Sequence, residues 1–476
     1  MKWLKVRNKI KKIHFVGIGG AGMSGIAEVL LTQGFEIQGS DIEKSISTNR
    51  LQSLGATIFF SHSESNVLGV DVCVVSSAIE ENNPELIASK RLKIPVVPRA
   101  LMLGELMRFK KGIAIAGSHG KTTTTSLVSS ILASSDLDPT YVIGGKLNSD
   151  GIGARLGQGE ILVAEADESD GSFLNLSPII AAVTNIDYDH LDYYNQDFNL
   201  LKKAFISFIH RLPFYSSAVL CIEDPNIREI IPLLSRPIIT VGFSNDSDIQ
   251  AKNVVHKGTS VSFLVEQKGF NSFDVHLPLP GLHNVLNTLI AIGIARELEI
   301  DTAILKDSIE NFSGVERRFE FFDNLKSPCG VKFSLVDDYG HHPTEIFATI
   351  EACRKAFHER KITLIFQPHR FSRTRDLFND FVDVLSKVER LILLNVYSAG
   401  EEINQKVKSN ELLKEIRKKA NYENHLAQNL DEAISLLFSS IKDNEVVLVM
   451  GAGSIANFSK KIILLCNKLN QEAANG

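Results

Sequence analysis

Short apolar runs alternate with stretches of helical spacing along almost the whole chain, and that alternation most constrains the fold. Residues 13–17 read as a strand. Residues 23–33 read as a helix with Ile26, Val29 and Leu30 on one face, and 35–39 and 70–75 read as further strands. Strands that alternate with helices pair in parallel and carry their helices on the sheet faces. The pattern runs to Lys110-Lys111, resumes with a strand at 112–116, and continues through helices at 123–133 and 199–209 and strands at 161–164 and 179–183. Between 238 and 280 the texture changes. The short β-rich pieces 260–265 and 273–277 predict a small antiparallel insert, followed by a helix over 283–298. From Phe319 a third alternation begins, with strands at 333–336, 362–366, 391–396 and 446–450 and helices at 343–357, 377–388 and 456–469. Residues 471–476 read as a frayed tail.

The length supports this division. A chain of 476 residues corresponds to about three domains at ~100–200 residues each. The expected architecture is α/β in three domains, with borders at 1–110, 111–318 and 319–476. Composition narrows the function. Fifty-one Lys+Arg stand against 56 Asp+Glu, a net charge of −5, which excludes a globally basic grip on nucleic acid. Five scattered cysteines, with no CxxC, argue against a disulfide framework or a structural zinc site and for a reducing cytosol. No apolar run approaches the ~18–20 residues that span a bilayer, so membrane insertion is not expected. The cluster Lys2, Lys5, Arg7, Lys9, Lys11 and Lys12 before an apolar stretch imitates a signal peptide. Gly17, Gly19, Gly20, Gly22 and Glu28 interrupt that stretch, so it reads as a basic approach to the first strand.

Two glycine-rich loops carry the chemistry of the first two domains. Gly17-Ile18-Gly19-Gly20-Ala21-Gly22 follows a strand, opens a helix and fits GxGxxG. Its glycines let backbone N–H groups approach a diphosphate at the positive end of the helix, and Asp41, at the end of the next strand, is placed to bind ribose hydroxyls. NAD and a UDP-sugar satisfy this pattern equally well. A turn needed only for close strand–helix packing would look the same. Gly117-Ser118-His119-Gly120-Lys121-Thr122-Thr123 also joins a strand to a helix. It lacks the first glycine of a full Walker A, but its working end is intact. Backbone amides can cradle phosphate, Lys121 can reach the β- and γ-phosphates, and the Thr122 hydroxyl can ligate Mg²⁺. Downstream, Glu165 opens the acidic run 165–170, and His190 ends 185–190. Both follow strands, where α/β ligands bind. A solvated acidic loop and a hydrogen-bonded loop histidine are the plain alternatives.

Two further loops cap strands of the third domain: Asp337-Asp338-Tyr339-Gly340-His341-His342-Pro343, and Gln367-Pro368-His369-Arg370-Phe371-Ser372-Arg373-Thr374-Arg375. Guanidinium groups in the second suit carboxylate or phosphate recognition, although exposed arginines taken singly are ordinary surface.

Together these stretches resemble the Mur ligase family. The resemblance covers nearly the whole chain. It rests on HFVGIGGAGMSGIA at 14–27, GSHGKTT at 117–123, EADESD at 165–170, DYDHLD at 187–192, LPGLHNVLN at 279–287, GVERRFE at 314–320, DDYGHHPTE at 337–345 and QPHRFSRT at 367–374. It implies a Rossmann-like N-terminal domain for a UDP-sugar, a central P-loop-type ATP-binding domain with the β insert, and a Rossmann-like C-terminal domain for an amino acid. It further implies an ATP-dependent carbon–nitrogen ligase of peptidoglycan precursor synthesis, working in the cytoplasm on UDP-N-acetylmuramate, ATP and L-alanine with two Mg²⁺ ions. By matching motifs, Gly17, Gly19, Gly20, Ala21, Gly22 and Asp41 fall to the UDP-sugar. Gly117, Ser118, His119, Gly120, Lys121, Thr122, Thr123, Asn284, Asn287 and Arg318 fall to ATP, and Thr122, Glu165 and His190 to metal. Tyr339, His341, His369, Arg370 and Arg373 fall to the amino acid, and Lys121, Glu165, His190, Arg318 and Asp338 to catalysis. Phe371 departs from the pattern, where tyrosine is expected. Two alternatives stay open: the murein tripeptide-adding relative, which shares the first glycine loop, and an NAD-linked oxidoreductase, which that loop alone permits.

Overall fold

The first alternation builds a five-stranded sheet from β1 (Lys12–Val16), β2 (Glu36–Ser40), β3 (Thr57–Phe59), β4 (Val72–Val75) and β5 (Val96–Pro98). The order is β3-β2-β1-β4-β5, and every pair is parallel. The strand order reverses at β1, so the loop after β1 opens at the topological switch point, where an open α/β sheet binds ligands. This computed structural model describes residues 10–76, 79–108, 110–144, 148, 153–155, 157–401, 408–420 and 422–475. The basic positions Lys2, Lys5, Arg7 and Lys9 lie outside them.

The second sheet has ten strands: β6 (Lys111–Ala116), β7 (Thr140–Val142), β8 (Ala154–Arg155), β9 (Ile161–Glu165), β10 (Ile180–Val183), β11 (Ala218–Cys221), β12 (Ile238–Gly242), β13 (Ile249–Lys257), β14 (Ser260–Gln267) and β15 (Phe270–Leu277). Their order is β15-β14-β13-β12-β11-β10-β6-β9-β7-β8. The central strand β6 pairs in parallel with β9 and β10. Five of its six residues are buried, which is why it reads as a continuous apolar run and not as an alternation. The expected insert is an extension of this sheet, joined to it where β12 pairs in parallel with β13.

The third sheet contains β16 (Glu320–Lys326), β17 (Lys332–Asp338), β18 (Ile362–Phe366), β19 (Arg390–Leu394), β20 (Asn424–Ala427) and β21 (Glu445–Met450), in the order β16-β17-β21-β18-β19-β20. All its pairs are parallel except β16 with β17. Apolar layers cover both faces. One includes Phe366, Phe381 and Leu391, the other Ile365, Phe458 and Val449.

Three details differ from the sequence reading. Asp337 and Asp338 end β17 itself instead of capping it from a loop. The basic stretch is a short helix, Phe371–Asp376, followed by Phe378–Leu385. The last helix runs Ala456–Asn475, past the expected end at 469. By compactness the chain divides into two units. One holds residues 1–252, 264–275 and 286–313, with the first sheet and most of the second. The other holds 253–263, 276–285 and 314–476, with the third.

Candidate active site

The glycine loop of the first unit is held from below by β2. Gly17, at φ +79°, and Ile18 both donate their N–H groups to the Ser40 carbonyl, at 2.9 and 3.0 Å. Asp41 follows Ser40, and its Oδ2 accepts the Gly19 N–H at 2.8 Å while Oδ1 accepts Ile42 N–H at 2.8 Å. The Asp41 carboxylate therefore braces the loop. The helix Ala21–Thr32 starts after Gly20 with no side-chain cap hydrogen bond, and the first amides of a helix have no partner within it. A Cβ on Gly22 would lie 2.5 Å from Arg99 Nη1. Arg99 thus stands against the loop, and its distance in sequence kept it out of the motif reading.

The phosphate loop, between β6 and the helix Lys121–Ser134, is braced by the segment after β10. Ser118 N–H donates to Asn185 O at 3.2 Å and His119 N–H to Asn185 Oδ1 at 2.8 Å. Asn185 Nδ2 and Thr184 Oγ1 return donors to His119 O at 3.0 and 2.5 Å. His119 Nε2 lies 2.9 Å from Asp187 Oδ2. Gly117 (φ +132°) and Gly120 (φ +82°) supply the backbone shape. A Cβ at Gly120 would come within 2.5 Å of Asn287 Oδ1, so the structure brings Asn287 onto this loop. Asn284, one turn earlier, donates its Nδ2 to Pro280 O at 2.8 Å.

Lys121 Nζ bonds Gly117 O at 2.5 Å and the two Glu168 oxygens at 2.9 and 3.1 Å. Burial pulls the lysine's pKa down. The carboxylates of Glu168, Asp167 and Glu165 outweigh that effect and hold it above its ordinary range. Burial raises the Glu168 carboxyl in spite of Lys121. Asp167, although burial opposes it, is held low by Lys121, the Ser169 amide and hydroxyl, and the charge of His190. Three carboxylates thus act on one lysine. Carboxylate and hydroxyl oxygens are the hard donors a divalent cation takes, and Thr122 is buried in the same helix as Lys121, one residue on. Ser118 and Thr123 are also buried. His190 sits on a left-handed turn (φ +58°), with Nε2 3.4 Å from Asp189. Glu168 lay inside the acidic run, but only burial distinguishes it from its neighbours.

In the second unit, β17 delivers Asp338. Its Oδ1 accepts Gly340 N–H at 2.7 Å and its Oδ2 accepts Phe319 N–H at 2.9 Å. Burial raises its pKa against the pull of Arg318. Arg318 lies 5.1 Å from the Tyr339 ring and 3.8 Å from Glu345 Oε1. Glu345 Oε2 accepts His341 N–H at 2.9 Å. The rings of Tyr339, His341, His369 and Tyr397 form a ladder with successive centroids 5.5 Å apart. Tyr397 also accepts Arg370 N–H on its carbonyl at 2.8 Å, and Arg370 holds φ +70°. Glu401 accepts the Phe371 and Ser372 amides at 2.7 and 3.1 Å and so caps the short helix that carries the buried Arg373. Tyr397 and Glu401 were missed because their segment carries no motif. The structure therefore assembles Arg318, Asp338, Tyr339, His341, His369 and Arg370 as one C-terminal edge.

These features define an α/β enzyme with two nucleotide-type glycine loops and a polar third domain. Three family models match it: the Mur ligase family catalytic domain over 12–111, the Mur ligase middle domain over 115–295, and the Mur ligase glutamate ligase domain over 317–453. The chain belongs to the Mur ligase family. It is 50% identical to a UDP-N-acetylmuramate–L-alanine ligase of Burkholderia mallei, over 96% of this chain and 98% of that protein. Among solved structures, the UDP-N-acetylmuramate-alanine ligase of Thermotoga maritima superposes with a TM-score of 0.80 at 29% identity, covering 97% of this chain and 99% of that one. A murein peptide ligase of Psychrobacter arcticus shares the fold, with a TM-score of 0.70 at 21% identity over 96% and 98% of the two chains. Family membership removes the oxidoreductase reading of the first glycine loop.

Proposed function

We propose that this chain joins L-alanine to the lactyl carboxylate of UDP-N-acetylmuramate at the expense of ATP, a step of peptidoglycan precursor synthesis. The observation that carries this reading is the 50% identity, over nearly the full length of both chains, to an L-alanine-adding ligase. We assign the domains to 1–110 for the UDP-sugar, 111–318 for ATP and 319–476 for the amino acid. The nucleotide substrates put the reaction in the cytoplasm, and no helix among the described residues is long and apolar enough to cross a membrane.

A carboxylate does not acylate an amine near neutral pH, because oxide is a poor leaving group. Transfer of the γ-phosphoryl group to the carboxylate oxygen makes an acyl phosphate. The neutral alanine nitrogen then forms the amide bond as the carbon–oxygen bond to phosphate breaks, and the ammonium proton leaves to solvent or a base. Negative charge develops on oxygens throughout, so the demand is for preorganised cations and amides. Lys121 exchanges its Glu168 contact for phosphate oxygens. The amides of Gly117–Thr123 cradle the phosphates, and Asn287 borders the loop. Thr122, Glu165 and His190 would hold Mg²⁺, with Asp167 and Glu168 in the same run; when bound, the ion would neutralise phosphate charge. Arg318 offers a further cation, and Asp338 fixes the turn that carries Tyr339 and Gly340. His341, His369, Arg370 and Arg373 receive the amino acid, with arginine as the carboxylate partner.

The deciding experiment is phosphate release with UDP-N-acetylmuramate, ATP and each acceptor in turn. Release with L-alanine and none with the murein tripeptide is expected. The reverse would assign the recycling branch.

A further inference from the structure

The first unit contains a buried acid that the catalytic reading leaves unused. Glu85 opens the helix Pro84–Arg91 and is fully buried. Its Oε2 accepts Ser40 Oγ at 2.5 Å and lies 3.1 Å from His62 Nδ1 and 3.5 Å from His14 Nε2. Its Oε1 accepts Asn66 Nδ2 at 2.6 Å. A buried charge is costly unless it is hydrogen-bonded, and this one accepts from Ser40 and Asn66 and lies beside the His62 and His14 rings.

Its principal partner is the residue on which the glycine loop hangs. The Ser40 carbonyl receives both Gly17 and Ile18 N–H, and the next residue, Asp41, receives Gly19 N–H. His62 Nδ1 is also 3.0 Å from Ser40 Oγ, which closes a triangle of Ser40, His62 and Glu85. Displacement of the Ser40 backbone would move three loop amides together.

We propose that Glu85 is a positioning residue for the UDP-sugar: through Ser40 it fixes the register between the end of β2 and the diphosphate-binding amides of Gly17–Gly19. The helix Pro84–Arg91 is thereby tied to a ligand that Glu85 does not touch. This inference rests on the UDP-sugar assignment above.

Glu85→Gln, Ser40→Ala and the double variant test it in the full-length enzyme. Steady-state kinetics are measured for all three substrates, with calorimetric titration of UDP and a thermal melt of each protein. In Glu85→Gln the KM for UDP-N-acetylmuramate and the Kd for UDP are expected to rise about tenfold, as when supporting-shell groups are removed. The KM values for ATP and L-alanine stay within about twofold. The double variant is expected to be no worse than the poorer single one, because both act through one link. A folded Glu85→Gln with unchanged UDP affinity overturns the proposal. So does a parallel rise in all three KM values with a lowered melting temperature, and so do fully multiplicative effects in the double variant. Wild-type protein that binds UDP but makes no product sinks the ligase reading and leaves Glu85 to be judged on UDP affinity alone. Wild-type protein that does not bind UDP sinks both.

Discussion

At the scale of single residues, the working groups are buried charges whose partners keep them ionised. Lys121 is the clearest case. Acted on by three carboxylates and bonded to Glu168 and its own loop, it stays charged. Lys121→Ala is expected to lower phosphate release by about 10²–10³-fold, the cost of losing one preorganised charge-stabilising donor. Full activity in a coupled phosphate assay would refute its assigned role. Glu85 gives a prediction in pH. Burial pushes its carboxyl up, but hydrogen bonds from His14, Ser40 and Asn66 win and bring it from an ordinary 4.5 to about 2. His62 and the Cys73 thiol are the other titratable groups that face it. A depressed carboxylate stabilises the fold above its unfolded pKa, and that contribution disappears as pH falls through the folded one. Glu85 therefore contributes about 3 kcal/mol above pH ~4.5, lost between ~4.5 and ~2. The difference in urea midpoint between wild type and Glu85→Gln is expected to shrink across that window. A difference that persists at pH 2 would contradict it.

Elements supply the loops. The phosphate loop needs a backbone that only glycine adopts without strain: Gly117 stands at φ +132°, and a Cβ there would fall 2.0 Å from Thr184 Oγ1. Gly117→Ala is expected to destabilise the first unit by about 1–3 kcal/mol and to abolish ATP binding, read by urea unfolding and nucleotide titration. A second element-level device lies where β17 meets the loop after β21. Arg317, itself at φ +57°, pairs with buried Asp337 at 3.0 Å and donates to Gly451 O at 2.8 Å. Burial lifts the Asp337 carboxyl to about 6 against the pull of Arg317. Arg317→Met strands that acid, and a loss of about 3–5 kcal/mol is expected in equilibrium unfolding. A change under 1 kcal/mol would show the pair to be dispensable.

For the whole molecule, three substrates imply that no domain is sufficient alone. A divalent cation is also expected to be required, because the ATP phosphates carry negative charge that such an ion neutralises. Chelation with EDTA is expected to abolish phosphate release and excess Mg²⁺ to restore it, with the melt of the apoprotein unchanged. Turnover that survives chelation would remove the metal from the scheme. Most of the architecture was legible beforehand. All three alternations became sheets, and both glycine loops follow their first strands. The insert's continuity with the second sheet, the strand β16 and the helix at Phe371–Asp376 were not legible. Each depends on a neighbour that no local pattern names, such as the antiparallel pairing of β16 with β17 or the capping of the short helix by Glu401.

The sequence alone determined the class of fold and the position of the loops, because apolar periodicity and the need for glycine at positive φ are local properties of a few consecutive residues. The tertiary structure decided the partners. It showed that Asp41 holds Gly19, that Glu168 rather than solvent answers Lys121, that Tyr397 completes the ring ladder, and that Glu85 supports Ser40 from 45 residues away. Those outcomes depend on which distant segments meet and exclude water. Burial is what turns an ordinary acid into one that must be paired.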